Sequence, residues 1–271
     1  MLKLVTMATS TSDTAFDLAS IHILLATSAL SFATQPVFSA SKTQKKHCDS
    51  DAVLYKECLA RLENDGGRSW TAEQFISALE QAGAVSLLDR RMLTLVLEHL
   101  ASDPTAVLGC NLSADNLASP DAWNAVLDLI RARPDLASRL VLELTETRPL
   151  DDPKRATAML AEARKLGCRV ALDDFGIGFA SPRLAQLIGA DIIKIDKSFV
   201  VDVRPSPDGS DSLRHLVGFA SSCAPIIVVE GIETIEQANT AHAAGATHLQ
   251  GYLFCRPVPA NDVGAPTRVT S

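Results

Sequence analysis

Eight apolar, β-rich runs, separated by polar or helix-patterned segments, constrain the fold of this chain more than any other feature. They are SFATQPVFS, VLYKECLARL, VLGCNLS, LVLELTE, CRVALDDFG, DIIKIDKSF, PIIVVEG and HLQGYLF. Between most of them the apolar residues recur at helical spacing, as in Ser86 to Ser102, Ala122 to Arg133 and Asp152 to Gly167. The last of these opens on Asp152 and Pro153 and closes on Gly167, the residue types that start and stop helices. Near-continuously apolar strands are those buried on both faces, which is the situation in a parallel sheet. Eight β-α units in 271 residues fit a closed α/β barrel of the (β/α)8 TIM-like type, an architecture of about 250 residues. An open, doubly wound sheet is the alternative. With no internal repeat and no long low-complexity linker, the expected organisation is one barrel domain over residues 15–262, between a disordered leader (1–14) and a tail (263–271).

The formal net charge of −7 argues against a broad surface for a nucleic-acid polymer and leaves small anionic ligands in play. The run from Ile21 to Ala33 looks superficially like a secretory signal. Only Lys3 precedes it as a cation, Asp13 and Asp17 lie close by, and the run is too short to cross a bilayer. It reads instead as a helix running into the first strand, with no membrane span. The six cysteines, Cys48, Cys58, Cys110, Cys168, Cys223 and Cys255, contain no CxxC pair, so neither a zinc knuckle nor a redox dithiol is expected. Free thiols fit a cytoplasmic protein. The stretch from Lys42 to Asp51 reads as a solvated loop.

In parallel α/β folds ligands are met at the carboxyl ends of the strands. The apolar runs end in Glu57, Asn111, Glu143 with Glu146, Asp173 with Asp174, Lys194 with Asp196, Glu230, and Gln250. Any one of these could be a cap, an exposed edge or an ion pair. Together, on one mouth of a barrel, so many carboxylates would repel strongly unless divalent cations neutralised them. Hard oxygen ligands with one amide point to magnesium or manganese rather than zinc. Strand alternation places Glu143 and Thr145 on one face with Leu142 and Leu144 on the other, and Lys194 with Asp196 opposite Ile193 and Ile195. A lysine within such a ring either orients a hydroxide or phosphate oxygen or forms a buried ion pair.

From about Gln35 to Pro259 the chain resembles the EAL-domain phosphodiesterases that hydrolyse cyclic di-GMP. The matching pieces, in family order, are TQPVF, ECLAR in place of EALLR, NLSADNL, LELTE, DDFGIGFAS, IIKIDKSFV, VVEGIET and QGYLFCRPVP. The resemblance implies a modified barrel whose first strand runs antiparallel, and two divalent cations, Mg2+ or Mn2+, activating a water for attack on one phosphodiester to give linear pGpG. It assigns Glu57, Asn111, Glu143 and Asp173 to one metal, and Asp173, Asp174 and Glu230 to the other. Lys194 corresponds to the lysine that holds the nucleophilic water, and Glu146 to the glutamate that steadies the loop after the Asp pair. Arg61 corresponds to a phosphate-contacting arginine, while Gln35, Leu59, Glu233 and Gln250 match positions that line or support the substrate groove. A family-style homodimer is also implied.

Three departures from the family pattern stand out. Cys58 replaces the alanine of the signature; both are small and expected to be semi-buried, so little effect is expected, although a thiol beside Glu57 could be oxidised. Pro182 is expected to stiffen the loop after the Asp pair, and the stretch from Gln35 to Glu57 is long. A receptor that binds the dinucleotide without hydrolysis is the rival from another functional class, and a barrel enzyme of aldolase type is a third reading. The complete carboxylate set favours the phosphodiesterase.

Overall fold

The computed structural model describes residues 30–42, 53–63, 69–145, 149–177 and 181–260. The leader, the tail, Glu146 and most of the Lys42–Asp51 loop lie outside the described residues. So does the Ile21–Ala33 run up to residue 29.

Eight strands close the expected barrel. They are β1 (Leu30–Ser39), β2 (Val53–Glu63), β4 (Leu108–Ser113), β5 (Leu140–Thr145), β6 (Arg169–Phe175), β7 (Ile192–Ile195), β8 (Ile226–Val229) and β9 (His248–Leu249). From β2 through β9 each of these pairs parallel with the next. β1 closes the ring by pairing antiparallel with both β2 and β9. This is the modified barrel with one antiparallel strand, not an open sheet. Two short strands extend it: β3 (Ser69–Thr71) beside β2, and β10 (Val258–Pro259) beside β1.

The helices are α1 (Ala72–Gln81), α2 (Val85–Ser102), α3 (Pro120–Arg131), α4 (Pro153–Lys165), α5 (Pro182–Ile188), α6 (Ser198–Val201), α7 (Ser212–Ser221) and α8 (Ile235–Ala244). α3 begins two residues before the expected Ala122, because the Ser119 side chain accepts from the Ala122 N–H and Pro120 takes the first position. α1 was not marked by the sequence pattern. Pro182 sits at the first turn of α5 behind the Ser181 cap, a position that proline favours. Among the described residues no helix is long and apolar enough to cross a membrane.

Two expected strands are shorter than their runs. After Ile195, the Asp196 carboxylate accepts the Ser198 N–H at 2.8 Å and the chain turns into α6. After Leu249 the Gln250 N–H still donates to Val229 of β8, but the Gln250 carbonyl accepts from the Ile232 N–H and the Leu253 N–H donates to the Ile232 carbonyl, in the loop after β8.

Alternation along the strands sorts the core into two parts. Leu142, Leu144, Leu172, Ile193 and Ile195 face outward into the apolar layer under the helices. Val37, Tyr55, Val141, Ala171, Ile192 and Val228 form a separate cluster inside the barrel. This interior layer is a floor, in the manner of barrel side-chain layers. Two residues beyond these floor residues stand Glu57, Glu143, Asp173, Lys194 and, just past the end of β8, Glu230, while on the antiparallel β1 the equivalent residue, Gln35, comes two before Val37. The barrel therefore stacks its polar layer directly on an apolar one.

Candidate active site

The polar layer is held by strand register. Glu57 lies opposite Gln35 across β1 and β2, and Asn111 lies opposite Glu143 across β4 and β5. Asn111 Nδ2 donates to Glu57 Oε1 at 3.1 Å, and Gln250 Nε2 donates to Glu57 Oε2 at 2.8 Å. Gln35 Nε2 donates to the Cys255 carbonyl at 3.1 Å. At Gly109, the floor position below Asn111, an added Cβ would run into Glu143 Oε1 and lie 2.6 Å from Tyr55 Cε2. Only glycine allows those two side chains to fill the space.

The adjacent aspartates need a local device to serve one site, because alternation would send them to opposite faces. Asp174 has φ 51°, the left-handed region that non-glycine residues rarely adopt, and the β6–β7 register shifts between Leu172 and Phe175. Such a conformation costs on the order of 1–3 kcal/mol and persists only where packing over-determines it. Phe175 supplies that packing, being fully buried and stacked on Phe219 at 6.0 Å. Gly176 follows at φ 105°, against Phe199, where a Cβ has no room.

Two groups of carboxylates result, Glu57–Glu143–Asp173 and Asp173–Asp174–Glu230, each with oxygens within 4.8 Å of one another. Asp173 belongs to both. Lys194, buried inside the barrel, sets its Nζ 3.1 Å from Glu57 Oε2, 2.7 Å from Glu143 Oε2, 3.0 Å from Asp173 Oδ1 and 2.8 Å from Glu230 Oε1. Its partners are these four, not Asp196. Burial alone would lower the lysine, but the four carboxylates raise it well above its ordinary range.

The carboxylates respond differently to the same surroundings. Burial pushes Glu143 up to about 8, with Glu57 and Asp173 adding to the rise and Lys194 opposing it. Burial takes Asp173 to about 6 in the same way, with Glu57 and Asp174 as its like-charged neighbours. Glu230 and Asp174 are also raised, chiefly by burial. Glu57 is lowered, because Lys194 and the donors Asn111 and Gln250 outweigh its burial. One ammonium does not balance five carboxylates, which is the condition that a divalent cation relieves.

The donor set fits such a cation. Asn111 Oδ1 and Glu143 Oε1 are buried with no hydrogen-bond partner, an arrangement that costs free energy unless something binds there. All the offered atoms are hard oxygens, as magnesium and manganese prefer.

Beside the carboxylates opens a cavity of about 320 Å³. Gln35, Leu59, Arg61, Glu233 and Gln250 all line it, as does Tyr252. Arg61 Nη1 also donates to the Ala60 carbonyl at 2.9 Å. Cys58 is fully buried rather than semi-buried, because it faces outward beneath α2 opposite Cys110. Burial raises its thiol well above the ordinary range, which disfavours the thiolate needed for oxidation.

Two supporting residues were missed in the sequence. Tyr55 donates its hydroxyl to Glu143 Oε2 at 3.1 Å. Its place two residues before Glu57 on β2 was the available signal. Asp89, buried on α2, accepts from the Ser113 N–H at 2.8 Å, the Ser113 hydroxyl and Asn116 Nδ2 at 2.6 Å, pinning the end of β4 just past Asn111. A charged residue within the apolar stripe of LLDRRMLTLV was its signal.

Comparison with known proteins agrees with this geometry. The EAL domain family profile matches residues 21–257. The cyclic di-GMP phosphodiesterase PdeL of Escherichia coli is 32% identical over 233 residues, covering 84% of this chain and 62% of PdeL. The chain thus spans less than two thirds of that relative. An EAL domain protein of Listeria monocytogenes superposes with a TM-score of 0.74 at 22% identity, over 92% of this chain and 97% of that one. The PaMucR phosphodiesterase in its c-di-GMP complex gives a TM-score of 0.71 at 24% identity, over 87% and 99%. Barrel, strand-end carboxylates and family match converge, and the chain belongs to the EAL domain family.

Proposed function

We propose that this chain is a phosphodiesterase that hydrolyses cyclic di-GMP to linear pGpG with two divalent cations, magnesium or manganese. The observation that carries the reading is the pair of carboxylate groups sharing Asp173 at the rim of a cavity lined by Arg61, Gln35 and Gln250. PdeL is named for this activity, and PaMucR is described with this nucleotide bound.

In this reading Glu57, Asn111, Glu143 and Asp173 hold one cation, and Asp173, Asp174 and Glu230 hold the other. When bound, such a pair lowers the pKa of a water and stabilises the attacking and leaving oxygens of a phosphodiester. The remaining residues position and bind. Asn111 and Gln250 fix both oxygens of Glu57 by hydrogen bonds, so that its orientation is set before any ligand arrives. Once cations take up the carboxylates, Lys194 would be released to turn its N–H groups to the nucleophilic oxygen, and Arg61 would offer a fork to the nonbridging phosphate oxygens. Leu59 and Glu233 shape the groove, and Glu146 steadies the loop after the aspartates. We further place the protein in the cytoplasm, as a homodimer.

The test is to incubate the purified chain with cyclic di-GMP and Mg2+ or Mn2+ and follow the products by chromatography. Linear pGpG is expected, lost on adding EDTA and lost in Asp173→Asn. Tight nucleotide binding without turnover would replace this reading with the receptor.

A further inference from the structure

The Lys194 ammonium occupies the junction of the two carboxylate groups. It lies within 3.1 Å of an oxygen from every member of the first, Glu57, Glu143 and Asp173, and of Glu230 from the second. An ammonium has three N–H bonds, so four carboxylates oversubscribe it. The side chain is almost wholly buried, away from bulk solvent. A magnesium-like dication takes its oxygens at about 2.0–2.1 Å. A unit charge and a double charge drawing on the same oxygens repel each other strongly in such a setting.

We infer that Lys194 is an internal counter-ion that gathers the ligand carboxylates and competes with the dications for their oxygens, so that metal binding displaces its ammonium. The inference rests on the metal-ligand reading above and adds a cost to metal binding that the ligand set alone does not contain. It makes a prediction of definite sign. A lysine that only organised the carboxylates would, when removed, leave them splayed and weaken metal binding. A competing lysine, when removed, strengthens it.

The experiment is a calorimetric titration with Mn2+ alone, without nucleotide, on wild type, Lys194→Gln and Lys194→Met. The neutral variants should bind Mn2+ about tenfold more tightly or better. They should melt below wild type in EDTA and gain more than wild type from added Mn2+. Should the variants fail to fold, wild type decides by lysine-selective 15N NMR, in which the protected Lys194 Nζ signal must shift or begin to exchange as Mg2+ saturates the protein. Wild type that binds Mn2+ while both variants bind equally or more weakly would overturn the inference. So would a Lys194 signal indifferent to saturating Mg2+. Wild type that takes up no Mn2+ at all would instead sink the ligand assignment, and this inference with it.

Discussion

Gly109 carries no chemistry, yet replacing it with alanine should disable the centre. An alanine Cβ would stand 2.6 Å from Tyr55 Cε2 and 3.0 Å from Glu143 Cδ, with Glu143 Oε1 closer still. Carbon atoms pack at about 3.5–4.0 Å, so the neighbours must retreat by roughly 1 Å. Tyr55 cannot easily do so, because Val37, Val141, Ala171, Ile192 and Val228 surround it in the barrel floor. Glu143 must therefore move, and it holds one of the unpartnered oxygens of the first carboxylate group. The backbone itself tolerates alanine, which on propensity alone would favour the strand by about 0.5–1 kcal/mol. Overpacking costs about 1–3 kcal/mol, leaving a net loss of up to about 2.5 kcal/mol in urea unfolding. A 1 Å displacement of a positioned group costs about 100-fold in rate, so formation of linear pGpG should fall by about that factor. Mn2+ affinity measured by calorimetry should fall with it. Wild-type turnover and affinity in a folded Gly109→Ala protein would refute the argument, because Glu143 would then not depend on this close approach.

Further outcomes follow from other contacts. Tyr55→Phe removes the buried hydroxyl that donates to Glu143 and should cost about 0.5–1.5 kcal/mol in thermal unfolding with a severalfold loss of Mn2+ affinity. Arg61→Ala should raise KM for cyclic di-GMP more than it lowers kcat, measured by steady-state kinetics; an equal fall in kcat would assign Arg61 to the transition state instead. Asp89 has its carboxyl raised by burial from 3.8 to about 6, against the pull of its Ser113 and Asn116 donors. Between those values the native state holds more proton than the unfolded chain, so the stability from this group is complete at low pH and lost as pH rises through about 6. Comparing urea unfolding of wild type and Asp89→Asn, the difference should shift by about 2 kcal/mol in favour of the variant between pH 4.5 and 7. A difference that stays flat with pH would remove Asp89 from the account.

Which residues end each strand, and which face they share, could be read from LVLELTE and IIKID because a strand alternates its side chains with period two. The same period accounts for the floor under the site, since Tyr55, Val141, Ala171, Ile192 and Val228 each precede a polar residue by two. Where alternation breaks, local pattern misleads. Asp174 reaches the site through its positive φ, and Lys194 pairs with carboxylates on three other strands and with Glu230 just past β8, rather than with Asp196. The run HLQGYLF reads as one strand, yet only His248–Leu249 pairs as β9, and the Gln250 carbonyl and the Leu253 N–H bond to Ile232 in the loop after β8.

The amino-acid order alone determined the strand-helix alternation, the placing of acids at strand ends and the family motifs, because each depends on neighbours a few residues apart. Only the closed barrel decided which groups meet, with Glu57, Asn111, Glu143, Asp173 and Lys194 brought from five strands, and Glu230 from the end of a sixth, into one layer. Ring closure by the antiparallel β1 fixes the register between distant strands, and that register sets the distances on which charge balance depends. The roles of Tyr55 and Asp89 belong to the same level, because a buried donor or acceptor has meaning only once its partner has been packed against it.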